Sequence, residues 1–306
     1  MPPIVLAMVA VAAVIHATWN VILKTSGDPL RTSARAMVGG VIVGLPLAVA
    51  AYVATGAPPV PSEAILLGVL SGCAETAYFV LLSTAYRHGD LSVVYPVARG
   101  TAPLFAVSVG VVVLGDRLGP LGAIGVAALT IGILVIQRPW RALVPRRAHA
   151  GPPTGDRAVD RAVVYALLTG VAIASYSAVD SVGVRIVQPW VFAAIAFPVN
   201  AVTLVLWVRF VDRTESVRGR PIEPPAPWGR ATLAGTLSLA GYMLILGAYV
   251  VAPLTVIAPL REAAVVLGSA WGSFRLGEAV SRGDGGRRVA GALCVLAGAV
   301  LVAVGA

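Results

Sequence analysis

Leu91-Ser92-Val93-Val94-Tyr95-Pro96 and Leu254-Thr255-Val256-Ile257-Ala258-Pro259 are two versions of one phrase, half a chain apart. Each opens an apolar run, reaches a proline, and is followed by an arginine: Arg99 three residues beyond Pro96, Arg261 two beyond Pro259. The likeness extends outward. Tyr86 to Asp116 can be laid on Tyr249 to Glu278, and Leu114-Gly115-Asp116 falls one position from Leu276-Gly277-Glu278. Gly125 and Gly132 return as Gly291 and Gly298, at the same interval of seven. The fold therefore reads as two related halves.

What surrounds this phrase is apolar. Of 306 residues, 58% are hydrophobic and 12% charged, and mean hydropathy is +0.87. Soluble domains carry about twice that share of charge, and a soluble chain of this length has a surface it must cover with polar groups. A bilayer removes that limit. A spanning helix needs roughly 20 mostly apolar residues, and ten stretches qualify: 3–23, 34–54, 63–85, 91–113, 118–137, 161–182, 188–210, 229–250, 253–274 and 288–305. The expectation is an all-α polytopic membrane protein. Its first five-helix unit is 1–138, a polar linker covers 139–160, and the second unit is 161–306. A second polar loop is expected from Arg209 to Trp228. A unit with an odd number of spans crosses the membrane in the opposite sense the second time, and such inverted repeats are a recurring transporter architecture.

Of the 23 Lys and Arg, 19 fall in the loops after odd-numbered spans, and only Arg117 and Arg185 on the other face. Positive-inside places the 19 in the cytoplasm and both termini outside, in a multi-pass inner (cell) membrane protein. Membrane topology thus accounts for the net charge of +9, and no nucleic-acid partner is expected. The N-terminal apolar run continues past any cleavage site and reads as a span, not a signal peptide. Cys73 and Cys294, each inside an apolar run, read as small packing residues without redox or metal roles. Gly68-x3-Gly72 and Gly268-x3-Gly272 give small faces for close helix contact, within a monomer in preference to a homodimer.

The residues that the bilayer would reject mark the chemistry. A charge at mid-bilayer costs at least ~2.5 kcal/mol on insertion scales and should face a partner or a watery cavity. Those placed inside spans are Glu75, Arg99, Asp180, Arg261 and Glu262. Spans four and nine each combine an arginine with a proline, expected to break the helix where it lines a cavity. Arg99 and Arg261 suit a carboxylate or phosphate; the structural alternative is an internal ion pair with Glu75 or Glu262. Glu262 projects about 100° from its neighbour Arg261, so those two need not pair with one another. Glu75 and Asp180 are the candidates for a coupling proton, with an end-of-helix role as the alternative for Asp180. His16 and Asn20 share a face of span one around Trp19, and Tyr78 and Tyr242 offer hydroxyls in spans three and eight. Asp116 and Glu278 read as helix-end signals.

These motifs resemble the EamA branch of the drug/metabolite transporter superfamily. The resemblance rests on His16-Ala17-Thr18-Trp19-Asn20 with Lys24, on Gly89-Asp90-Leu91-Ser92 leading into Tyr95-Pro96-Val97-Ala98-Arg99-Gly100-Thr101-Ala102-Pro103-Leu104, and on Leu114-Gly115-Asp116-Arg117-Leu118 with Leu276-Gly277-Glu278. It implies ten helices in two inverted five-helix repeats, a central cavity, and secondary transport of small metabolites or drugs, often outward. Asp116 stands where most members carry Glu. The superfamily's small four-helix exporters use a glutamate in their first helix; span one here has only His16 and Asn20, which weighs toward a solute with an anionic group, such as an amino acid or organic acid. Competing readings are a membrane-embedded enzyme, a lipid-linked sugar flippase and a passive scaffold. The three histidines are scattered, with no paired-acid motif, nucleotide loop or nucleophile elbow, so no enzyme and no cofactor is expected.

Overall fold

The computed structural model describes residues 1–24, 27–88, 91–137, 156–217, 223–262 and 282–305. Among them the chain is helical: α1 Pro3–Lys24, α2 Pro29–Ala54, α3 Ser62–His88, α4 Leu91–Val112, α5 Pro120–Gln137, α6 Asp156–Ile186, α7 Pro189–Val217 and α8 Trp228–Val251. A further segment is helical over 254–262 (α9), and α10 is Arg282–Gly305. The rest of the ninth expected span, including Gly268, Gly272 and Glu278, lies outside the described residues, as do Gly89 and Asp90. Among the described residues five helices are long and apolar enough to cross a membrane: Pro29–Ala54, Ser62–His88, Arg161–Ile186, Pro189–Val217 and Trp228–Val251; α1, α4, α5 and α10 contribute shorter apolar stretches. Leu47, Val112, Leu293 and Val300 are largely exposed, as side chains facing hydrocarbon are.

Local chemistry sets the ends. Asp28 caps α2 by accepting from the Arg31 amide at 2.8 Å, and Pro29, which has no N–H to leave unpaired, takes the first helical position. At the far end Ala57 N bonds Tyr52 O at 2.9 Å and Gly56 N bonds Val53 O at 3.0 Å. That closing motif needs a left-handed residue, here Gly56 at φ +83°. Asp116 accepts from Thr255 N at 3.2 Å, capping the start of α9 from the α4–α5 turn; its expected helix-end role is exerted on another helix.

Helices approach through glycine. A Cβ on Gly235 of α8 would sit 1.7 Å from Ala36 O of α2, and one on Gly72 of α3 would sit 2.5 Å from Ala196 O of α7. Gly72 is thus used inside the monomer, packing against α7. The α5–α10 pair is antiparallel, with Gly125 against Gly298 and Gly132 against Gly291.

Several expectations need correction. The continuous helix α4 passes through both Pro96 and Pro103, and α9 is helical through Pro259, so none of these three prolines interrupts the described backbone. The polar loop expected from Arg209 starts later, because α7 runs on to Val217; its polar extension is held by ion pairs from Asp212 and Glu215. Asp180 is not at a helix end, since α6 continues to Ile186. Both cysteines are exposed and fill no interior site.

Candidate functional site

A cavity with about 780 Å³ of atom-free space, including its open part, lies among α1, α2, α3, α4, α6, α7, α8 and α9. His16, Trp19, Glu75, Tyr78, Arg99, Tyr242 and Arg261 line it. Apolar helices bring them there: each helix turns its polar residues away from lipid, and the shared interior is where those faces meet.

One wall is an ion triad. Arg99 Nη1 donates to both oxygens of Glu262 at 3.1 Å. Arg261 reaches Oε1 of the same carboxylate through Nε and Nη2, each at 3.3 Å. Arg261 and Glu262, which as sequence neighbours need not pair, do so here: a long guanidinium stem spans the 100° between neighbouring positions. Arg99 Nη2 also donates to the Tyr78 hydroxyl at 3.3 Å and lies 3.0 Å from His16 Nε2. Guanidinium only donates, so that contact is a hydrogen bond when Nε2 carries no proton. His16 in turn meets Trp19 edge-on, with ring centroids 5.0 Å apart. The Tyr78 ring lies 5.9 Å from the Arg99 guanidinium, and the Tyr176 ring 5.7 Å from that of Arg261. Glu262 is 1% exposed, so its charge is removed from water and compensated by two cations.

In the register that matches Pro96 to Pro259, Arg99 falls opposite Glu262. Corresponding positions of the two halves therefore carry opposite charges and pair with each other across the centre of the molecule.

The other wall is acidic and held by neutral groups. Glu75 Oε2 accepts from Asn200 Nδ2 at 2.9 Å. Asn200 is fixed in turn by Thr76, whose hydroxyl donates to its side-chain oxygen at 3.0 Å. Asp180, 1% exposed, accepts from the Tyr242 hydroxyl at 3.0 Å and from Ser71. The triad uses two cations for one acid, whereas these two acids have hydroxyl and amide donors. The cavity is thus bipolar. Of the proposed residues, His16, Trp19, Glu75, Tyr78, Arg99, Tyr242 and Arg261 line it, Glu262 and Asp180 lie behind the lining, bonded to Arg99 and Tyr242, and the side chain of Asn20 lies outside the described residues.

Tyr176, Asn200, Thr76 and Ser71 escaped the sequence reading as site residues. Tyr176 carried a usable signal, one turn before Asp180 on the same helix face. Asn200 was visible as the polar residue of its span. Nothing in sequence separated Thr76 or Ser71 from hydroxyls that only bond their own helix. Among the described residues no cluster of His, Cys, Asp and Glu could hold a metal ion.

The fold has a counterpart in a solved crystal structure of a protein that covers 99% of this chain and 98% of its own, at a TM-score of 0.66 and 18% identity. Spermidine export protein MdtI of Salmonella arizonae is 39% identical over 70 residues, 23% of this chain, and that of Salmonella paratyphi B matches equally. The chain spans 64% of the length of these curated relatives. A family model matches residues 3–138 and again 160–304. Two matches, together covering nearly the whole chain, make this protein a member of the EamA-like transporter family.

Proposed function

We propose that this transporter is a secondary carrier that moves a small metabolite with a carboxylate, an amino acid or organic anion, outward across the cytoplasmic membrane by alternating access. The observation that carries this is the bipolar cavity. A solute carboxylate is received by Arg261, whose shared carboxylate Glu262 is already bonded twice by Arg99, leaving Arg261 the less engaged guanidinium. An ammonium group, where the solute has one, faces Glu75 across the cavity. Glu75 or Asp180 carries the coupling proton.

Alternating access is supported by the way helix contacts repeat. The α3–α7 approach of Gly72 on Ala196 matches the α8–α2 approach of Gly235 on Ala36. The antiparallel α5–α10 contact exchanges Gly125 with Gly298 and Gly132 with Gly291, as two inverted five-helix halves, 1–138 and 161–306, would. The basic loops assign the ends of α1, α3 and α7 to the cytoplasm; they form the basic end of the molecule below, and the opposite face the outer end.

The name of the Salmonella relatives favours a second reading, a polyamine held by the two acids. Arg99 and Arg261 on the facing wall oppose it by repulsion. Uptake into proteoliposomes separates the two. Arg261→Gln should weaken binding of the carboxylate solute by ten-fold or more and leave polyamine binding unchanged or stronger. Undiminished carboxylate transport by this variant removes Arg261 from the site.

A further inference from the structure

The two ends of the α2–α7 pair are built from matching positions. Aligning these helices on Pro29 and Pro189, with which each begins, lays Asp28 on Gln188, Arg31 on Val191, Tyr52 on Asp212 and Thr55 on Glu215. At the basic end these positions hold charge. Arg31, 6% exposed, meets three carboxylates: Nε and Nη2 reach Asp212 Oδ1 at 2.8 and 2.7 Å, Nη1 reaches Asp28 at 3.0 Å, and Nη2 also reaches Glu215 at 2.7 Å. Arg87 at the end of α3 takes the second oxygen of Glu215 at 3.3 Å. The loop before α8 is drawn into the same assembly. Gly27 and Pro225 form an isolated bridge, Ala226 N donates to Thr32 Oγ1 at 3.0 Å, and Arg35 donates to Ala226 O at 2.9 Å while lying over the Trp228 ring. At the outer end the same positions are uncharged. Tyr52 and Trp190 meet edge-on at 6.3 Å, beside an open recess of about 900 Å³.

We infer that the Arg31 cluster is the gate on the basic side of the central cavity, closed in this structure, and that its opening is the step that exposes the cavity to that side. The inference rests on the transport reading above. Met37 lines the cavity and follows Arg31 by six residues on α2, about 9 Å along the axis. Parting α2 from α7 at Arg31 therefore opens the way to it. Charge suits a gate that must open repeatedly. When the cluster parts, Arg31 and its carboxylates exchange each other for water, so the loss of ion pairs is offset by hydration. An apolar plug of the same size would expose its surface with no such compensation. The outer end has no ion pair among its described residues to break, so the two gates differ in kind.

The test reads accessibility. With Cys73→Ser and Cys294→Ser, a single Ser238→Cys places a thiol on the cavity lining, and a membrane-impermeant maleimide is applied to right-side-out and inside-out vesicles. Arg31→Gln should raise labelling from the basic side by five-fold or more and lower it from the outer side. The milder Arg87→Gln, at the rim of the cluster, should shift both rates in the same direction by less. Unchanged labelling from both sides in both variants overturns the gate. As a second reading, Asp28→Cys with Asp212→Cys, joined by a short bifunctional thiosulfonate, should stop transport until a reductant cleaves the link. Full transport by the linked protein overturns the gate as well. Labelling is measured without solute, so it decides the gate even if the solute assigned above is wrong.

Discussion

The two walls of the cavity hold similar residues under different electrostatic rules. On the triad wall Glu262 is buried with two guanidiniums, each within 3.3 Å. On the facing wall Glu75 and Asp180 are held by Asn200, Tyr242 and Ser71, all neutral. A carboxylate held by cations is a fixed part of the scaffold, because removing it strands opposite charges in a low dielectric. A carboxylate held by neutral donors can exchange one of them for a proton or a solute at small cost. The triad wall therefore gives the cavity its shape and its positive side, and in the proposed cycle the acidic wall is where charge changes.

Breaking this contrast begins with Glu262. Glu262→Ala leaves Arg99 and Arg261 facing each other and is expected to destabilise the protein by about 3–5 kcal/mol, read as lost melting temperature in detergent. The pair Arg99→Met with Glu262→Met should lose less than Glu262→Ala alone. Equal losses would show that the triad is no electrostatic unit. Asn200→Ala removes the amide that holds Glu75 and should cost about 1–3 kcal/mol, with Thr76 keeping Gly72 O as an acceptor. A cost as large as that of Glu262→Ala would put both walls under one rule. Glu75→Gln keeps an acceptor oxygen for Asn200 and should change stability by less than about 1 kcal/mol, while transport loses its dependence on a proton gradient; unchanged gradient dependence leaves the coupling role to Asp180. The smallest effect is expected from Cys73→Ser and Cys294→Ser, within about 0.5 kcal/mol, because both side chains lie outside the packed interior.

The ends of the molecule carry a related lesson. Hydropathy ended the seventh span near residue 210, since a polar helix and a polar loop look alike by composition. The structure extends α7 to Val217, because Asp212 and Glu215 find Arg31, about 180 residues away in the chain. Asp180 looked like an end-of-helix acid for the same reason, and its place inside α6 depends on Ser71 and Tyr242 from two other helices.

By itself the sequence determined that this is a membrane protein of two related halves, where its apolar helices run, and which few residues the bilayer would not accept. Those are local properties: apolar length, glycine, proline and charge act over a turn or two of chain. Which arginine meets which acid was decided only by the tertiary structure. Arg99 could have paired with Glu75 or Glu262, and nothing local distinguishes acids on different helices. The choice falls to Glu262 because α4 packs against α9, with Gly110 so close that a Cβ there would sit 2.5 Å from Thr255 Cγ2, and at those distances a buried charge takes the partner that packing delivers.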